Sequence, residues 1–576
     1  MSDQSPVQED RDRATEPPRY PWLSAYPDGV DWNQEFTAAP VHRFLSESAE
    51  RFPSNACVTF LGKTLTYGEI ANLVDRAAAG LQKIGISKGT KVGLFLPNSP
   101  TAVIYYYAIL RIGATVVNYN PLYTVEELSF QVGDSETEIM VTLDLKLLFD
   151  KVEALLAGGK LKRAVICSFP DLLPGLKSIL FKLFKAKERA RPRQSKVARQ
   201  LVFEADLLAN DGRVEPAEID TGDIAVLQYT GGTTGTPKGA MLTHANLSIN
   251  VRQVEAWSPD LVAGAEKMIG VLPFFHVFAM TGVMNFGISR AAELIVMPRF
   301  VLDDLLNLIN EHRPTVMAGV PTIFNAIMNH PKIRSFDLSS LKLCLSGGAP
   351  LPLEVKRGFE SLTGCKLIEA YGLSETSPAA TLNPLEGPVK EGSIGQPLPA
   401  TILSLRDLEN PELEVPLGDK GEICIAGPQV MKGYWNRPEA TASTFVGEFF
   451  RTGDVGTMDD QGFTFIVDRI KDLIICSGYN VYPRRIEEAI YEFEAVEEVT
   501  VIGIPDAYRG EAPKAFVKLK PGQTATSDEL LAFLKSKISK IEMPEEIEFR
   551  DELPKTMIGK LSKKELKQEE AERSQK

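Results

Sequence analysis

From about Val41 to Gly392 short apolar runs alternate with amphipathic stretches, and this alternation limits the fold more than any other feature of the chain. The runs include "KVGLFLP" at Lys91, "IMVTLD", "RAVICS", "AVLQYT", "LKLCLSGG" and "CKLIEAYG". Short apolar runs bounded by turn residues read as strands buried on both faces. Strands alternating with helices imply an α/β fold of layered, mostly parallel sheets covered by helices. Ligands in such sheets sit beyond the C-terminal strand ends, where several of these runs meet glycine-rich turns.

The texture changes near Gly392. "ATILSLRD", "KGEICIAGP", "FRTGDVGTMD" and "GFTFIVD" are short segments separated by turn residues, which suggests a small antiparallel β-barrel unit. The expected division is a polar tail and lead-in over 1–40, outside the core, then a large domain over 41–467 with the β unit at about 392–467. A hinge over 468–472 and a small mobile C-terminal α+β domain over 473–576 follow.

Composition narrows the function classes. A chain of 576 residues, 44% apolar and 24% charged, is an ordinary globular composition with room for a large core. A net charge of −13, from 63 basic and 76 acidic residues, argues against nucleic acid as a partner. The six cysteines are scattered without CxxC spacing and there are five histidines, so no zinc site is expected and a reduced, cytoplasmic location is the simplest reading. The most apolar stretch, Ala102 to Tyr119, is interrupted by Arg111, and a spanning helix is not expected.

The sharpest local signal is YTGGTTGTPKG, Tyr229 to Gly239. Gly231, Gly232 and Gly235 let backbone N–H groups converge on an anion. The hydroxyls of Thr230, Thr233, Thr234 and Thr236 add donors, and Lys238 adds a point charge. The combination suits a polyphosphate, although the spacing is not that of a Walker A loop.

This string resembles the phosphate loop of the adenylate-forming superfamily of acyl-CoA synthetases, luciferases and peptide-synthetase adenylation domains. Five further strings agree in order: SGGAP at Ser346, YGLSET at Tyr371, RTGD at Arg451, DRIKD at Asp468 and PKTMIGK at Pro554. The resemblance spans about Val41 to Leu566. It implies that a carboxylate attacks the α-phosphorus of ATP to give acyl-AMP and pyrophosphate, and that a thiol, coenzyme A, then displaces AMP. Both nucleophiles are already reactive, so catalysis should rest on positioning and on neutralising phosphate charge.

The resemblance also implies residue roles. Lys560, Glu375 and Lys238 would be catalytic, and Glu375 and Thr230 would hold Mg²⁺. Thr230, Gly231, Gly232, Thr233, Thr234, Gly235, Gly347, Gly348, Ala349, Tyr371, Gly372, Thr376, Asp454 and Arg469 would contact the nucleotide. His276 would line the acyl side without acid–base work. Lys471 would be the pivot of the hinge, and Ser477, Gly478 and Tyr479 would face CoA after the small domain turns.

Within the superfamily the wording is most similar to bacterial long-chain fatty-acid–CoA ligases. Two strings depart from it: KIEM before Pro544, and GKLSKKEL at the end of the lysine motif. An aryl- or medium-chain carboxylate–CoA ligase, or a fatty acyl-AMP ligase loading a carrier protein, stays open, as does a homodimer. Residues 172–199 alternate Leu, Ile and Phe at helical spacing with nine Lys and Arg. They read either as a helix packed on its own domain, which is slightly favoured, or as a peripheral contact with a membrane surface.

Overall fold

The computed structural model describes residues 20–230, 236–387, 389–506, 508–556 and 559–574. Gly231, Gly232, Thr233, Thr234 and Gly235 of the phosphate loop lie outside the described residues.

Two large sheets form the body. Among the described residues one has nine strands and the other seven. Their centres are parallel, while Lys63–Thr66, Ala379–Leu382 and Gln396–Pro397 in the first, and Lys238–Thr243 in the second, pair antiparallel at the edges. The central strands are apolar on both faces: Thr115–Asn118, Ile139–Leu143 and Leu343–Gly347 are buried throughout.

The apolar stretch at Ala102 becomes the core helix Pro100–Arg111. Ser99 Oγ caps it by accepting from Ala102 N at 3.3 Å, and Pro100 sits at its first position. Every residue from Pro100 to Leu110 is buried, and the helix touches strands of both sheets. Arg111 ends it in an ion pair with Asp75 at 2.7 Å. No helix among the described residues is long and apolar enough to cross a membrane.

The β unit is a five-stranded sheet built from Ile402–Arg406, Gly421–Ala426, Phe445–Val446, Phe449–Met458 and Thr464–Arg469. The small domain packs the helices Pro483–Tyr491 and Ser527–Leu534 on a second five-stranded sheet with its own core around Val499, Val501 and Val517.

One expectation needs correction. The lead-in is not outside the core over its whole length. Trp22 is buried, stacks on Tyr20 at 5.0 Å and packs on the β unit, and Trp32 Nε1 donates to Thr401 O at 3.0 Å. A few aromatic rings bury more surface than the polar average of the segment suggests. Over 172–199 the helix is short, Gly175–Phe184, and lies on its own domain through Ser178, Phe181 on Phe169 at 4.9 Å and Lys177, while Leu173, Ala190 and Val197 of the same segment are buried. Its spacing is amphipathic; Phe181 packs on the turn Phe169–Leu172, while Leu176, Ile179, Leu183 and Phe184 stay exposed among the described residues.

Candidate active site

The phosphate side is a hairpin. Ile224–Thr230 pairs antiparallel with Lys238–Thr243, placing Thr230 opposite Lys238, and Thr230 Oγ1 donates to Lys238 O at 3.4 Å. Tyr229 OH fixes the strand end on Asp134 Oδ2 at 2.6 Å, and Asp134 also takes Arg437. The segment Met431–Trp435 is laid along the second strand. Met241 N donates to Gly433 O at 2.9 Å, Lys432 N to Met241 O at 3.0 Å and Trp435 N to Gly239 O at 2.8 Å.

That placement brings Tyr434 between two of the expected residues. Its hydroxyl donates to Glu375 Oε1 at 2.7 Å, and Lys238 Nζ stands 5.0 Å from its ring centroid. Glu375 is 8% exposed, and burial pushes its carboxyl up, opposed by Tyr434, Arg469 and Lys238. Tyr434 was not legible as a site residue in the sequence; the available signal was an aromatic pair directly after Gly433 in an otherwise mixed loop.

On the nucleoside side, Leu343–Gly347 runs parallel to Lys366–Gly372. Gly347, Gly348 and Ala349 turn out of the first strand, Gly348 at φ +81°. Tyr371 OH donates to Asp454 Oδ2 at 2.7 Å and Arg469 Nε donates to Asp454 Oδ1 at 3.0 Å. Each carboxylate oxygen thus keeps acceptor capacity while its orientation is fixed. Gly372 has no room for a side chain, since a Cβ would stand 1.8 Å from Pro378 O. The Thr376 hydroxyl is buried inside the turn, accepting from Leu373 N at 2.9 Å and donating to Pro378 O, so it holds the motif in shape.

Lys560 arrives from the small domain. Its loop is closed by Thr556 N donating to Lys560 O at 2.6 Å, and docked on the large domain by Thr322 Oγ1 donating to Gly559 O at 2.7 Å. Burial, with Arg469 nearby and Asp454 opposing, lowers the ammonium to about 8. His276 caps a short helix by accepting from Phe278 N at 3.3 Å; burial and then Lys560 hold it down to about 3, so it is neutral near neutral pH.

Lys238, Glu375, Tyr371, Asp454, Arg469, His276 and Lys560 therefore converge, although they span more than half the chain. Gly348 makes the last approach possible: a Cβ there would stand 2.7 Å from Lys560 Cε, in a backbone region costly for other residues. We expect Gly348→Ala to slow pyrophosphate–ATP exchange by up to about 10²-fold, the scale of a small misplacement. Adding it to Lys560→Ala should cost little more, and an additive loss would show that Gly348 acts elsewhere.

The remaining expected residues belong to the hinge turn beside Arg469 and to the small domain. Lys471 is in the short helical turn Ile470–Asp472, where burial and Arg469 lower its ammonium. Ser477, Gly478 and Tyr479 form an exposed hairpin tip between Ile474–Cys476 and Tyr479–Val481, with Ser477 at φ +53° and Gly478 at φ +81°. In KIEM, Glu542 pairs with Arg485 at 3.1 Å and closes the Ser539 turn.

Comparison with known proteins agrees with this geometry. Residues 45–435 match the family described as AMP-binding enzyme, and residues 485–560 match the AMP-binding enzyme C-terminal domain. The chain is 45% identical to a long-chain-fatty-acid–CoA ligase of Bacillus subtilis over 558 residues, 96% of this chain and 98% of that one. It is 35% identical to a feruloyl-CoA synthase of Amycolatopsis over 539 residues, 93% of this chain and 99% of that one. The fold superposes on ATP-bound MatB from Rhodopseudomonas palustris with a TM-score of 0.80 at 29% identity, over 92% of this chain and 98% of that one.

Proposed function

The chain belongs to the AMP-binding enzyme family, and from that premise we propose that it activates a long-chain fatty acid with ATP to acyl-AMP and transfers the acyl group to coenzyme A. One observation carries the reading. Lys560 of the small domain packs against Gly348 and lies near the Asp454–Arg469 pair, while Glu375 and Lys238 sit under one tyrosine ring and hydroxyl.

Each group has a task in the first step. Asp454, fixed by Tyr371 and Arg469, accepts from the ribose hydroxyls. Lys238 and the hairpin around it neutralise the β- and γ-phosphates. Lys560 meets the charge that develops on the α-phosphate as the carboxylate attacks. Neutral His276 lines the acyl side, and no residue needs to remove a proton from the attacking carboxylate.

A divalent cation fits the donor set. Glu375 is a single buried carboxylate with Thr230 on the facing hairpin, and no cluster of three His, Cys, Asp or Glu exists among the described residues. One carboxylate completed by nucleotide oxygens is the way Mg²⁺ is usually held. When bound, Mg²⁺ supplies charge neutralisation on the phosphates.

Transfer to CoA needs a second arrangement. The exposed tip Ser477–Tyr479 then turns toward the acyl-AMP about Lys471, and Gly478 lets pantetheine approach the backbone. The amphiphilic substrate also fits a peripheral position at a membrane surface, with the Gly175–Phe184 helix as the contact.

The 35% identity to a feruloyl-CoA synthase keeps an aryl acid as the second reading. A panel of short, medium and long fatty acids beside ferulate, with CoA present, separates the two. We expect AMP release and thioester to peak together on the long chains. A peak on ferulate would replace the substrate class, and acyl-AMP accumulating despite CoA would point to a carrier-protein acceptor.

A further inference from the structure

The small domain follows the turn Ile470–Asp472, so whatever places Lys560 acts across that turn. Two hydrogen bonds cross it in opposite senses, both between the strand Thr464–Arg469 and the helix Pro483–Tyr491. Arg484 N donates to Asp468 Oδ2 at 2.9 Å, which satisfies one of the donors that a helix start leaves without an internal partner. Arg484 Nη1 reaches back and donates to Ile466 O, also at 2.9 Å.

The guanidinium is held for this reach. Arg484 is 6% exposed, and a buried charge is tolerated where its donors are met. Its Nε donates to Glu488 Oε1 at 2.9 Å, one turn along the same helix, which aims the fork toward the strand. Glu369 of the large domain is also buried and near enough to feel it. Burial pushes the Glu369 carboxyl up to about 7, and Arg484 is first among the groups that oppose this. Glu369 Oε1 in turn accepts from Leu351 N at 3.1 Å, two residues past Ala349 of the adenine-side turn.

The helix that carries Arg484 is fastened to the segment that carries Lys560. Glu487 takes Lys563 at 2.9 Å, three residues beyond Lys560. Elsewhere the two domains meet through Thr322 Oγ1 on Gly559 O at 2.7 Å and Asn325 Nδ2 on Glu497 O at 3.1 Å. Those are bonds from neutral donors at part-buried positions. A charged donor buried on a carbonyl is the stronger tie.

We infer that Arg484 is a positioning residue for acyl-AMP formation: its bond to Ile466 O clasps the small domain in the arrangement that sets Lys560 beside Gly348. Arg484 acts through Lys560 and not on the substrate. This role rests on the proposed part of Lys560 in the first step, so domain position has to be read separately from chemistry.

The test uses the full chain with Asn325→Cys and Glu497→Cys, two positions that meet across the interface. The six native cysteines are buried, so a short bismaleimide is directed to the new pair. Arg484→Met keeps the length of the stem and removes the donor. We expect cross-linking of the ligand-free enzyme, and pyrophosphate–ATP exchange with whichever acid the parent activates, each to fall about 10-fold, the scale of one hydrogen bond to a charged group. Thioester formation from supplied acyl-AMP, measured before linking, should persist. Once linked, Arg484→Met should match the exchange of the linked parent, because the covalent tie replaces the clasp.

Should Arg484→Met lose thioester formation as well, which would report damage to the fold, Arg484→Lys replaces it. A single ammonium does not reproduce the fork on Glu488 and Ile466, and both rates should again fall. Unchanged cross-linking would overturn the clasp. Slow exchange that linking does not restore would overturn it too, since Arg484 would then act other than by domain position. Slower cross-linking at unaltered exchange would bear out the clasp and remove Lys560 from the first step.

Discussion

Lys560→Ala is expected to slow pyrophosphate–ATP exchange by roughly 10²–10³-fold, the scale for removing one transition-state donor. Thioester formation from supplied acyl-AMP should persist, because Lys560 serves the arrangement in which the α-phosphate is attacked. The pH dependence has a definite sign. The charged ammonium is the useful form, and in the free enzyme it is held at about 8 by burial and Arg469. Exchange measured as kcat/KM for ATP should therefore fall as pH rises through about 8, and the fall should be absent in Lys560→Ala. Equal exchange rates in the two proteins would remove Lys560 from the chemistry.

The convergence behind that expectation was partly legible in the sequence. The apolar runs became strands because their faces are buried on both sides, and motif order placed Asp454, Arg469 and Lys560 in one site. Pairwise geometry was not legible. Arg469 reaches Asp454 through the Asp454–Arg469 strand register, and Tyr371 reaches it from the other side out of a different sheet; no local string encodes either. Trp22 lies in a segment whose average composition is that of a lead-in, while burial is decided residue by residue. The helix at Gly175 shows the converse. Helical spacing reveals an apolar stripe, but the stripe alone does not say whether protein or something else covers it.

Tyr434 is the site residue that only the fold reveals, and its removal should have a large effect. In Tyr434→Phe the ring under Lys238 stays and the hydroxyl is lost, leaving Glu375 Oε1 without its donor at 2.7 Å. A hydrogen bond to a buried charged group contributes about 1.5–3 kcal/mol, so kcat/KM for MgATP should drop about 10- to 100-fold. The carboxyl is already pushed up by burial, and the hydroxyl is among the groups that oppose this. Without it the folded-state value rises further. The useful carboxylate is then lost at a higher pH as acid is added, and the acid limb of the profile moves upward. A tyrosine that merely packs would lower activity evenly across pH, so an unmoved acid limb at reduced rate would sink the positioning role. Tyr434→Leu should lose more than Tyr434→Phe, because it also removes the aromatic face on which Lys238 rests.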